Sequence, residues 1–585
     1  MIDFNSIITG VLIDLQKTDN VLLLEKKQLS KLAKFKRYND VFKVNTEILG
    51  AQNKVLEVIF YVCFNSDFPA SIPSIYLDEE NYDSMKYIPH VDTDMLVCTF
   101  DNATTTTDIN NPAGITRMAL RRAKRILEEG LLQLNKSDFA EEFLSYWENN
   151  YNKEYFVKTD LLSFIKESPI DNKVSLLILK NKLSGFKYIL SQNNSESNNF
   201  MEFLENRKIE YSESDIFFSS QNFIKNEPPF NINVREGIKL VDAKDKEALL
   251  QFLNKKNFPK LVLYCKNLNG ASHYIGWFYP PAELNKDGFR IGVLTPVKAY
   301  ETFQSGNSLI RVSPQPFTNN RMKFRSEGVI SENSPLSFCI AGLGSIGSHL
   351  VHFLESFQLS NYNLIDPEFL SLENTARHLL GFNYIRNNKA HAMKDYLSLQ
   401  DPRRKLKAFP KSILDTYKTN PEVINDSDYM FLIVGRQDVE ETICNKIKDG
   451  SFTSPIFIVW VEPYLYGGHC LYLHPNDFKH EEYYENLDGL TLFKSNVIHS
   501  IEYTSKNELL TKKEASCQSS FMPYSEGNIL HFLSNLFIEI STIIKTSSTT
   551  SKGFTWVGDL DQMESMGINK SEFHSSASSF SMINF

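Results

Sequence analysis

The sequence contains no pair of closely spaced cysteines. Its seven cysteines are scattered singly along 585 residues, and no CxxC motif occurs. A disulfide framework and a zinc knuckle both need such spacing, so neither is expected to organise the fold. The sequence also has no excess of positive charge, because 62 Lys and Arg stand against 71 Asp and Glu, giving a net charge of −9. We therefore expect no direct binding of nucleic acid.

Targeting and membrane segments are missing as well. The first residues carry no basic region ahead of their apolar stretch and no small-residue cleavage site, so they do not read as a signal peptide. Residues 528–545 are the stretch most like a membrane span, but Asn, His and Glu residues interrupt it. This pattern predicts an amphipathic core helix. We expect a cytoplasmic protein that does not bind membranes.

The chain does contain enough apolar material for several cores, with 42% hydrophobic and 12% aromatic residues. At roughly 150 residues per domain, its length predicts three or four domains. We predict a multidomain α/β protein with an α+β region (1–150), a mixed linker domain (151–330), a doubly wound βαβ region (331–563) and a Ser-rich, mobile tail (564–585). In the linker domain we predict strands at 260–264, 276–279 and 290–294, and a polar loop at 192–198.

A glycine-rich turn is the sharpest motif. Gly342, Gly344 and Gly347 form GLGSIG directly after an apolar strand and open the following helix. Glycines there permit a tight turn and let phosphate approach the helix N-terminus, whose free N–H groups and dipole favour negative charge. Asp366 ends the next predicted strand, where a carboxylate can accept hydrogen bonds from ribose hydroxyls. The alternative is a structural glycine turn that binds no nucleotide.

Polar residues further along distinguish a triphosphate from a dinucleotide. Asn374, Arg377 and Lys389 follow the ribose-binding carboxylate together with His378, and a triphosphate needs that many donors. Asp438 follows the third predicted strand, where a carboxylate could hold Mg²⁺ that bridges phosphate oxygens. The pattern favours a nucleoside triphosphate with Mg²⁺ over NAD. Taken singly, each cation is explained as well by an ordinary surface charge.

The run from Cys339 to Lys389 resembles the adenylation domain of ubiquitin-activating and ThiF/MoeB-type enzymes. That family combines a glycine-rich loop, an Asp ending the next strand, an Asn and Arg pair, a Lys and a later Asp. The resemblance implies a Rossmann-like ThiF domain that adenylates the C-terminal carboxylate of a protein and works as a homodimer. This sequence differs from many members of that family in that it lacks their zinc-binding CxxC motifs. It implies that ATP contacts Gly342, Gly344, Gly347, Asp366, Asn374, Arg377, Lys389 and Asp438, the last of these through Mg²⁺.

Cys517 is the first candidate to carry an acyl group. It lies in KKEASCQSSFMPYS, where Lys512 and Lys513 precede it, and cationic surroundings lower the pKa of a thiol. A thioester preserves the activation of an acyl adenylate while it frees the nucleotide. In the resembling family a catalytic cysteine follows the adenylation core and precedes a Pro-Tyr-Ser-like segment, matched here by residues 523–525. The alternative is an unreactive loop cysteine.

Cys98 is the second candidate. It follows strand-like runs and a Pro-punctuated segment, and it precedes a loop and helices, an order that resembles the ubiquitin-conjugating enzyme fold. His90 takes the place of the family's histidine, but the His-Pro-Asn triplet is absent, which leaves Asp92 and Asn102 as substitutes for its asparagine. The literal triplet that begins at His474 has no cysteine after it and is expected to be a turn. The alternative for Cys98 is a half-buried strand cysteine, and the other five cysteines are expected in cores.

Taken together, the regions resemble the fused conjugating and activating enzymes of the CD-NTase-associated family in bacterial CBASS antiphage systems. That resemblance implies adenylation of a cGAS-like nucleotidyltransferase (CD-NTase) at its C-terminus, a thioester on Cys517, transfer to Cys98 and conjugation to a lysine-bearing target. One alternative is a sulfur-carrier activating enzyme, which would leave the first 150 residues without a role. Another is a degenerate, nucleotide-gated scaffold, which would bind nucleotide without exchanging pyrophosphate.

Overall fold

The computed structural model describes residues 4–25, 33–101, 104–148, 160–166, 173–255, 259–268, 271–285, 293–325, 335–357, 359–487, 490–513 and 520–585. The chain forms two compact units. One contains Met1–Gln192 and Tyr211–Pro316, and the other contains Asn193–Glu210 and Phe317–Phe585.

The first 148 residues form an antiparallel sheet covered by helices. Its elements are α1 (Phe4–Leu15), β1 (Asn20–Leu23), β2 (Asp40–Leu49), β3 (Val55–Phe64), β4 (Ser74–Leu77), α2 (Glu79–Ser84), β5 (Leu96–Val97), α3 (Pro112–Leu131), α4 (Asp138–Glu141) and α5 (Phe143–Glu148). The five strands pair in sequence order, each antiparallel to the next. Asn111 caps α3 by accepting from Gly114 N, and Pro112 follows at the first helical position. The predicted α+β layout is confirmed.

The rest of the first unit holds two further sheets. Its elements are β6 (Leu161–Ser163), β7 (Val174–Leu183), β8 (Phe186–Gln192), β9 (Tyr211–Asp215), β10 (Phe217–Asn222), β11 (Lys260–Leu268), β12 (Ala271–Tyr279), β13 (Ile310–Val312) and β14 (Gln315–Pro316), and the helices Val234–Lys239, Ala243–Asn254 and Pro296–Thr302. The strand orders are β14-β6-β8-β7-β9 and β10-β11-β12-β13. Of the strand predicted at 290–294, residues 290–292 lie outside the described part, and Val293 and Leu294 are not in a strand.

The polar loop predicted at 192–198 is wrong. Helix α6 (Ser195–Asn206) begins there, and its segment belongs to the second unit. Asn194 caps it by accepting from Ser197 N, and Phe200 and Leu204 are buried at helical spacing. Of the residues that suggested a loop, Asn194 is the cap, Asn193, Ser195 and Asn198 are exposed, and Ser197 is buried.

The second unit is built around one large sheet. The strands of that sheet are β15 (Ser337–Ala341), β16 (Asn361–Ile365), β17 (Leu406–Phe409), β18 (Tyr429–Leu432), β19 (Ile456–Val461), β20 (Gly467–Leu473), β25 (Lys552–Val557) and β26 (Ser581–Asn584). Two separate pairs are β21 (Tyr484–Leu487) with β22 (Leu490–Phe493) and β23 (Lys512–Lys513) with β24 (Ser520–Phe521). The three helices of the first unit named above are α7 (Val234–Lys239), α8 (Ala243–Asn254) and α9 (Pro296–Thr302). Besides α6, the helices of the second unit are α10 (Asn319–Arg325), α11 (Ser345–Leu354), α12 (Lys389–Gln400), α13 (Ile413–Thr419), α14 (Glu422–Asn425), α15 (Gln437–Lys448), α16 (Glu502–Ser505), α17 (Asn507–Leu510), α18 (Glu526–Thr546) and α19 (Leu560–Ser565).

The order of this sheet is β17-β16-β15-β18-β19-β20-β25-β26. The first five strands are parallel, and the last three are antiparallel to their neighbours. The parallel part has the strand order of a nucleotide-binding doubly wound sheet, which reverses direction at β15. The Rossmann-like region is therefore confirmed, and the carboxyl ends of β15, β16, β18 and β19 meet at one edge.

Two expectations about the end of the chain have different outcomes. Helix α18 is the one described helix long and apolar enough to cross a membrane, and it packs in the core of the second unit through residues such as Phe532 and Leu536. The predicted core helix is confirmed.

The tail at 564–585 is not a mobile extension, because β26 pairs with β25 and completes the sheet. Met582 and Ile583 supply the apolar side chains that the Ser-rich composition concealed.

Candidate active site

The glycine-rich turn connects β15 to α11, and its three glycines have different roles. Gly342 has φ +93°, and a Cβ there would lie 2.3 Å from the carbonyl oxygen of Ile433. A Cβ on Gly347 would lie 2.0 Å from the carbonyl oxygen of Gly342. Around Gly344, the N-cap of α11, a Cβ would meet no atom of the described residues within 4 Å. The first and third glycines are needed for packing, whereas the open space at Gly344 suits a ligand at the helix N-terminus.

Asp366 braces this turn from the end of β16. Its buried carboxylate accepts the Leu343 N–H at 2.7 Å and the Glu368 N–H at 2.8 Å. Burial raises the pKa of Asp366, and the two backbone donors counteract part of that rise. A carboxylate offers about four lone-pair sites, so two remain for ribose hydroxyls.

Lys389 lies beside Asp366 at the start of α12 and is itself buried. Its Nζ is 2.5 Å from Oε2 of Glu368, whose side chain is 70% exposed. Asn388 fixes this corner, because its amide donates to the carbonyl oxygens of Asp366 and Glu368 while its oxygen accepts from His391 N. The structure thus brings two of the predicted residues, Asp366 and Lys389, to one corner next to the turn.

Arg377 contacts the segment that follows Cys517. Its Nη1 donates to the carbonyl oxygen of Met522 at 2.9 Å, and its guanidinium lies 4.5 Å from the ring centre of Tyr524. The Tyr524 hydroxyl is 2.9 Å from Oγ of Ser345 in the glycine-rich turn. Ser345, Arg377, Met522 and Tyr524 therefore form one cluster of contacts. The sequence pointed to Arg377 and to the Pro-Tyr-Ser segment separately but not to their contact.

His378 is not a phosphate-binding cation. It is buried, its Nε2 donates to the carbonyl oxygen of Leu343 at 2.8 Å, and its Nδ1 accepts from Leu380 N at 3.0 Å. Burial lowers the pKa of His378 to about 4, so the ring is neutral and supports the glycine-rich turn. Asn374 accepts a hydrogen bond from Ser371 N within its own turn.

Asp438 lies in the first turn of α15 with its side chain 66% exposed. Arg436 donates to both of its oxygens, at 2.5 and 3.2 Å, and this pairing lowers the pKa of Asp438. Within the described ranges no group of three or more His, Cys, Asp or Glu side chains could hold a metal ion. The described loop around His474 and His480 carries no such cluster.

A cavity of about 500 Å³ opens on the other flank of the glycine-rich turn. We call it the glycine-loop cavity; its walls are Gly344–Gly347, residues 433–435 after β18, residues 459–463 at the end of β19, Gln437, Glu440, Tyr484, Phe493, Asn496, Tyr503, Met522 and Tyr524. Asp366, Arg377 and Lys389 do not line it. The turn thus separates a cationic corner beside β16 from an aromatic cavity over β18 and β19, and sequence reasoning missed the cavity.

Glu462 closes the floor of the cavity. Its buried carboxylate accepts from Nε2 of His469 at 2.6 Å, from the backbone N–H groups of Val497 and Ile498, and from the Tyr503 hydroxyl. Burial would raise the pKa of Glu462, but these donors outweigh it and hold the pKa below its usual value. Every bonding direction of this carboxylate is used inside the protein.

Cys98 follows β5 in the first unit and is exposed. Its N–H donates to the carbonyl oxygen of His90 at 2.8 Å. Although Cys98 is exposed, surrounding residues desolvate its thiol, and this effect, followed by the nearby carboxylates of Asp92 and Glu142, raises the pKa of Cys98 to about 11. Asp92 accepts from Leu96 N, and Asn102 lies outside the described residues.

The side chain of His90 is directed at two carboxylates. Its Nε2 lies 3.0 Å from Oδ2 of Asp138, and its Nδ1 lies 2.8 Å from Oε1 of Glu142. The hydrogen bond to Glu142 raises the pKa of His90 against the effect of burial. Tyr146 completes the cluster, since its oxygen accepts from His90 N and its hydroxyl donates to Glu142. His90 thus anchors the segment before Cys98 to the helices behind it.

Of the remaining cysteines, one lies outside the described residues and five are buried. Cys517 lies outside the described residues, so its role stays a prediction. Cys63, Cys265, Cys339, Cys444 and Cys470 are buried, as expected.

Comparisons with known proteins give one family match and several distant structural similarities. Residues 22–157 match the family model of prokaryotic E2 family B, and no curated protein matches the chain. Among solved structures, PaaA is similar at 14% identity over 52% of this chain and 77% of PaaA, with a TM-score of 0.30. MccB of E. coli with ATP is similar at 13% identity over 38% of this chain and 61% of MccB, with a TM-score of 0.27. The match spans about three fifths of MccB, and at these scores the fold assignment rests on the strand order alone.

Proposed function

We propose that the chain is a fused activating and conjugating enzyme that uses ATP and Mg²⁺ to attach a protein C-terminus to an amine. One observation carries the proposal. The glycine-rich turn leaves Gly344 open, with Asp366 and Lys389 on one flank and, on the other, a cavity whose described walls contain no Lys or Arg. Nucleotide and acyl substrate can then meet over the turn, in a chain whose N-terminal region matches an E2 family.

The proposed reaction begins where nucleotide and acyl substrate meet over the glycine-rich turn. A substrate carboxylate oxygen attacks the α-phosphorus of ATP, the bond to the β-phosphate breaks, and pyrophosphate leaves. The Cys517 thiolate attacks the acyl carbon, and AMP leaves. The Cys98 sulfur then takes the acyl group as its proton passes to the Cys517 thiolate. Finally an amine attacks the thioester, loses a proton to solvent and releases Cys98. Linking the two carriers in one chain raises their effective concentration.

Cationic groups on either side of the glycine-rich turn fit the triphosphate. Lys389 can exchange its contact with exposed Glu368 for a phosphate oxygen, and Arg377 can exchange the Met522 carbonyl for another. Asp366 has acceptor capacity left for the ribose. Asn374 would contribute its amide once its own turn opens toward the nucleotide.

The exposed carboxylate of Asp438, in the first turn of α15, fits Mg²⁺ held through ATP. This ion takes one or two carboxylates together with substrate phosphates. Asp438 is exposed and its one partner, Arg436, is equally exposed, so its oxygens can be released to the ion. Bound there, Mg²⁺ would offset charge on the phosphates.

The finer identity of the partners belongs to the same proposal. The activated protein is a cGAS-like nucleotidyltransferase and the acceptor a lysine-bearing target, which places the enzyme in CBASS antiphage defence in the bacterial cytoplasm, as a homodimer. The support is the resemblance of the sequence, together with the E2 family match.

The test is pyrophosphate exchange with purified candidate nucleotidyltransferase from the same operon, using full-length and C-terminally truncated forms. The proposal predicts ATP-dependent exchange only with the full-length form. A sulfur-carrier activating enzyme would exchange with a sulfur carrier instead, and a degenerate scaffold would bind ATP without exchange. Either result would overturn the proposal.

A further inference from the structure

Glu440 is a buried carboxyl that faces the glycine-loop cavity. It lies on α15, its residue surface is 7% exposed, and it forms part of the cavity wall. No described side chain donates a hydrogen bond to it or pairs with it; the Arg436 backbone N–H is the group that favours its charged form. Its neighbour Glu441, by contrast, is exposed and accepts from Gln437 at 3.0 Å.

The cavity offers Glu440 no compensation. Its described walls contain no Lys or Arg, and the other carboxylate, Glu462, is saturated by four donors. A buried carboxyl without a partner is costly, and a cationic ligand group would remove the cost.

Aromatic rings surround the same space. Trp460 and Phe493 meet edge to face with ring centres 4.8 Å apart, and Tyr484 lies 5.6 Å from Phe493. Such rings accommodate the alkyl stem of Lys or Arg and attract its charged end. Aromatic walls with one unpaired carboxyl thus favour a long basic side chain.

We propose that the glycine-loop cavity receives the C-terminal segment of the acyl substrate and that Glu440 selects a segment with a Lys or Arg close to its C-terminus. This rests on the proposed function, because the segment must lie where its carboxylate reaches the nucleotide. Glu440 is a specificity-determining residue, and it takes no part in the bond changes.

The test uses alanine hexapeptides ending in glycine with a free carboxylate. Lys, norleucine or Glu replaces one alanine at each of the four positions before that glycine. Binding is followed by tryptophan fluorescence, since Trp460 lines the cavity and is partly exposed while Trp147, Trp277 and Trp556 are at most 1% exposed. Peptide-dependent pyrophosphate exchange is measured in parallel.

In at least one register the Lys peptide should bind 10-fold or more tightly than its norleucine partner. Glu440→Gln should abolish that preference while norleucine binding changes less than 2-fold, and the matched Glu441→Gln should keep it. Equal binding of Lys and norleucine, a preference that survives Glu440→Gln, or no peptide binding at all would overturn the inference. Lys-selective binding without exchange would support it and contradict the proposed function instead. Thermal unfolding checks that both variants fold.

Discussion

The glycine-rich turn yields the sharpest prediction, because its glycines differ in what a methyl group would meet. In Gly342→Ala the Cβ would lie 2.3 Å from a backbone oxygen at a φ of +93°. The conformation costs about 1–2 kcal/mol and the clash about 1–3 kcal/mol, so the free energy of unfolding should fall by about 2–5 kcal/mol. Thermal unfolding should show a drop of several degrees even without nucleotide.

Gly344→Ala should leave stability nearly unchanged and weaken ATP binding. Its Cβ has open space, and φ −71° is accessible to alanine. The lost N-cap preference, about 0.5–1 kcal/mol, is offset by a similar entropic gain from the unfolded chain. Stability should stay within about 0.5 kcal/mol of wild type, while the methyl group occupies the place where phosphate meets the helix N-terminus. Loss of one charge-assisted hydrogen bond, about 1.5–3 kcal/mol, weakens ATP binding about 10- to 100-fold.

Calorimetric ATP titration and thermal unfolding of both variants separate these effects. The reasoning predicts a stable Gly344→Ala protein that binds ATP poorly and a destabilised Gly342→Ala protein. Wild-type ATP affinity in Gly344→Ala would show that no phosphate lies at this turn, and the assignment of the nucleotide site would be refuted.

Three further predictions concern other groups. Asp366→Asn should lower the free energy of unfolding by about 1–3 kcal/mol, because an amide oxygen can serve only one of the two N–H donors at 2.7 and 2.8 Å; unchanged urea unfolding would contradict this. In a Cys517→Ser background, Cys98 should react with iodoacetamide at pH 8 about 100-fold more slowly than glutathione and accelerate toward pH 10, since its pKa is raised to about 11; a fast reaction at pH 7 would disprove the raised pKa. Because the pKa of His90 is raised in the folded protein, its protonation stabilises the fold fully below about pH 6.5, and this stabilisation is lost as pH rises through the folded pKa. The melting temperature should therefore fall between pH 6 and 8.5, and His90→Gln should reduce that fall. An identical slope in the variant would contradict this prediction.

The glycine-rich turn and its contact with Asp366 were predictable because they are local or follow from strand order. Gly342 and Asp366 each lie within a few residues of a strand end, and a doubly wound sheet brings such ends together. His378 was misassigned because sequence alone does not show that its ring is buried under Leu343. The tail was misassigned because its serine-rich composition hides Met582 and Ile583, the two apolar residues of the short strand β26.

The cavity could not be predicted for a different reason. Glu440, Phe493 and Tyr524 are separated by tens of residues, and no motif links them. They meet only because α15, β22 and the segment after β24 pack around the ends of β18 and β19. The cluster of His90 with Asp138 and Glu142 is likewise a product of tertiary packing.

The most direct test of a two-thiol relay is mass spectrometry of the intact enzyme after incubation with ATP, Mg²⁺ and the candidate nucleotidyltransferase. Wild type should gain the mass of the substrate less one water, in a form that dithiothreitol removes. Cys517→Ala should gain nothing, and Cys98→Ala should gain the adduct on Cys517 yet pass nothing to an amine. Charging of neither cysteine while pyrophosphate exchange continues would contradict the account.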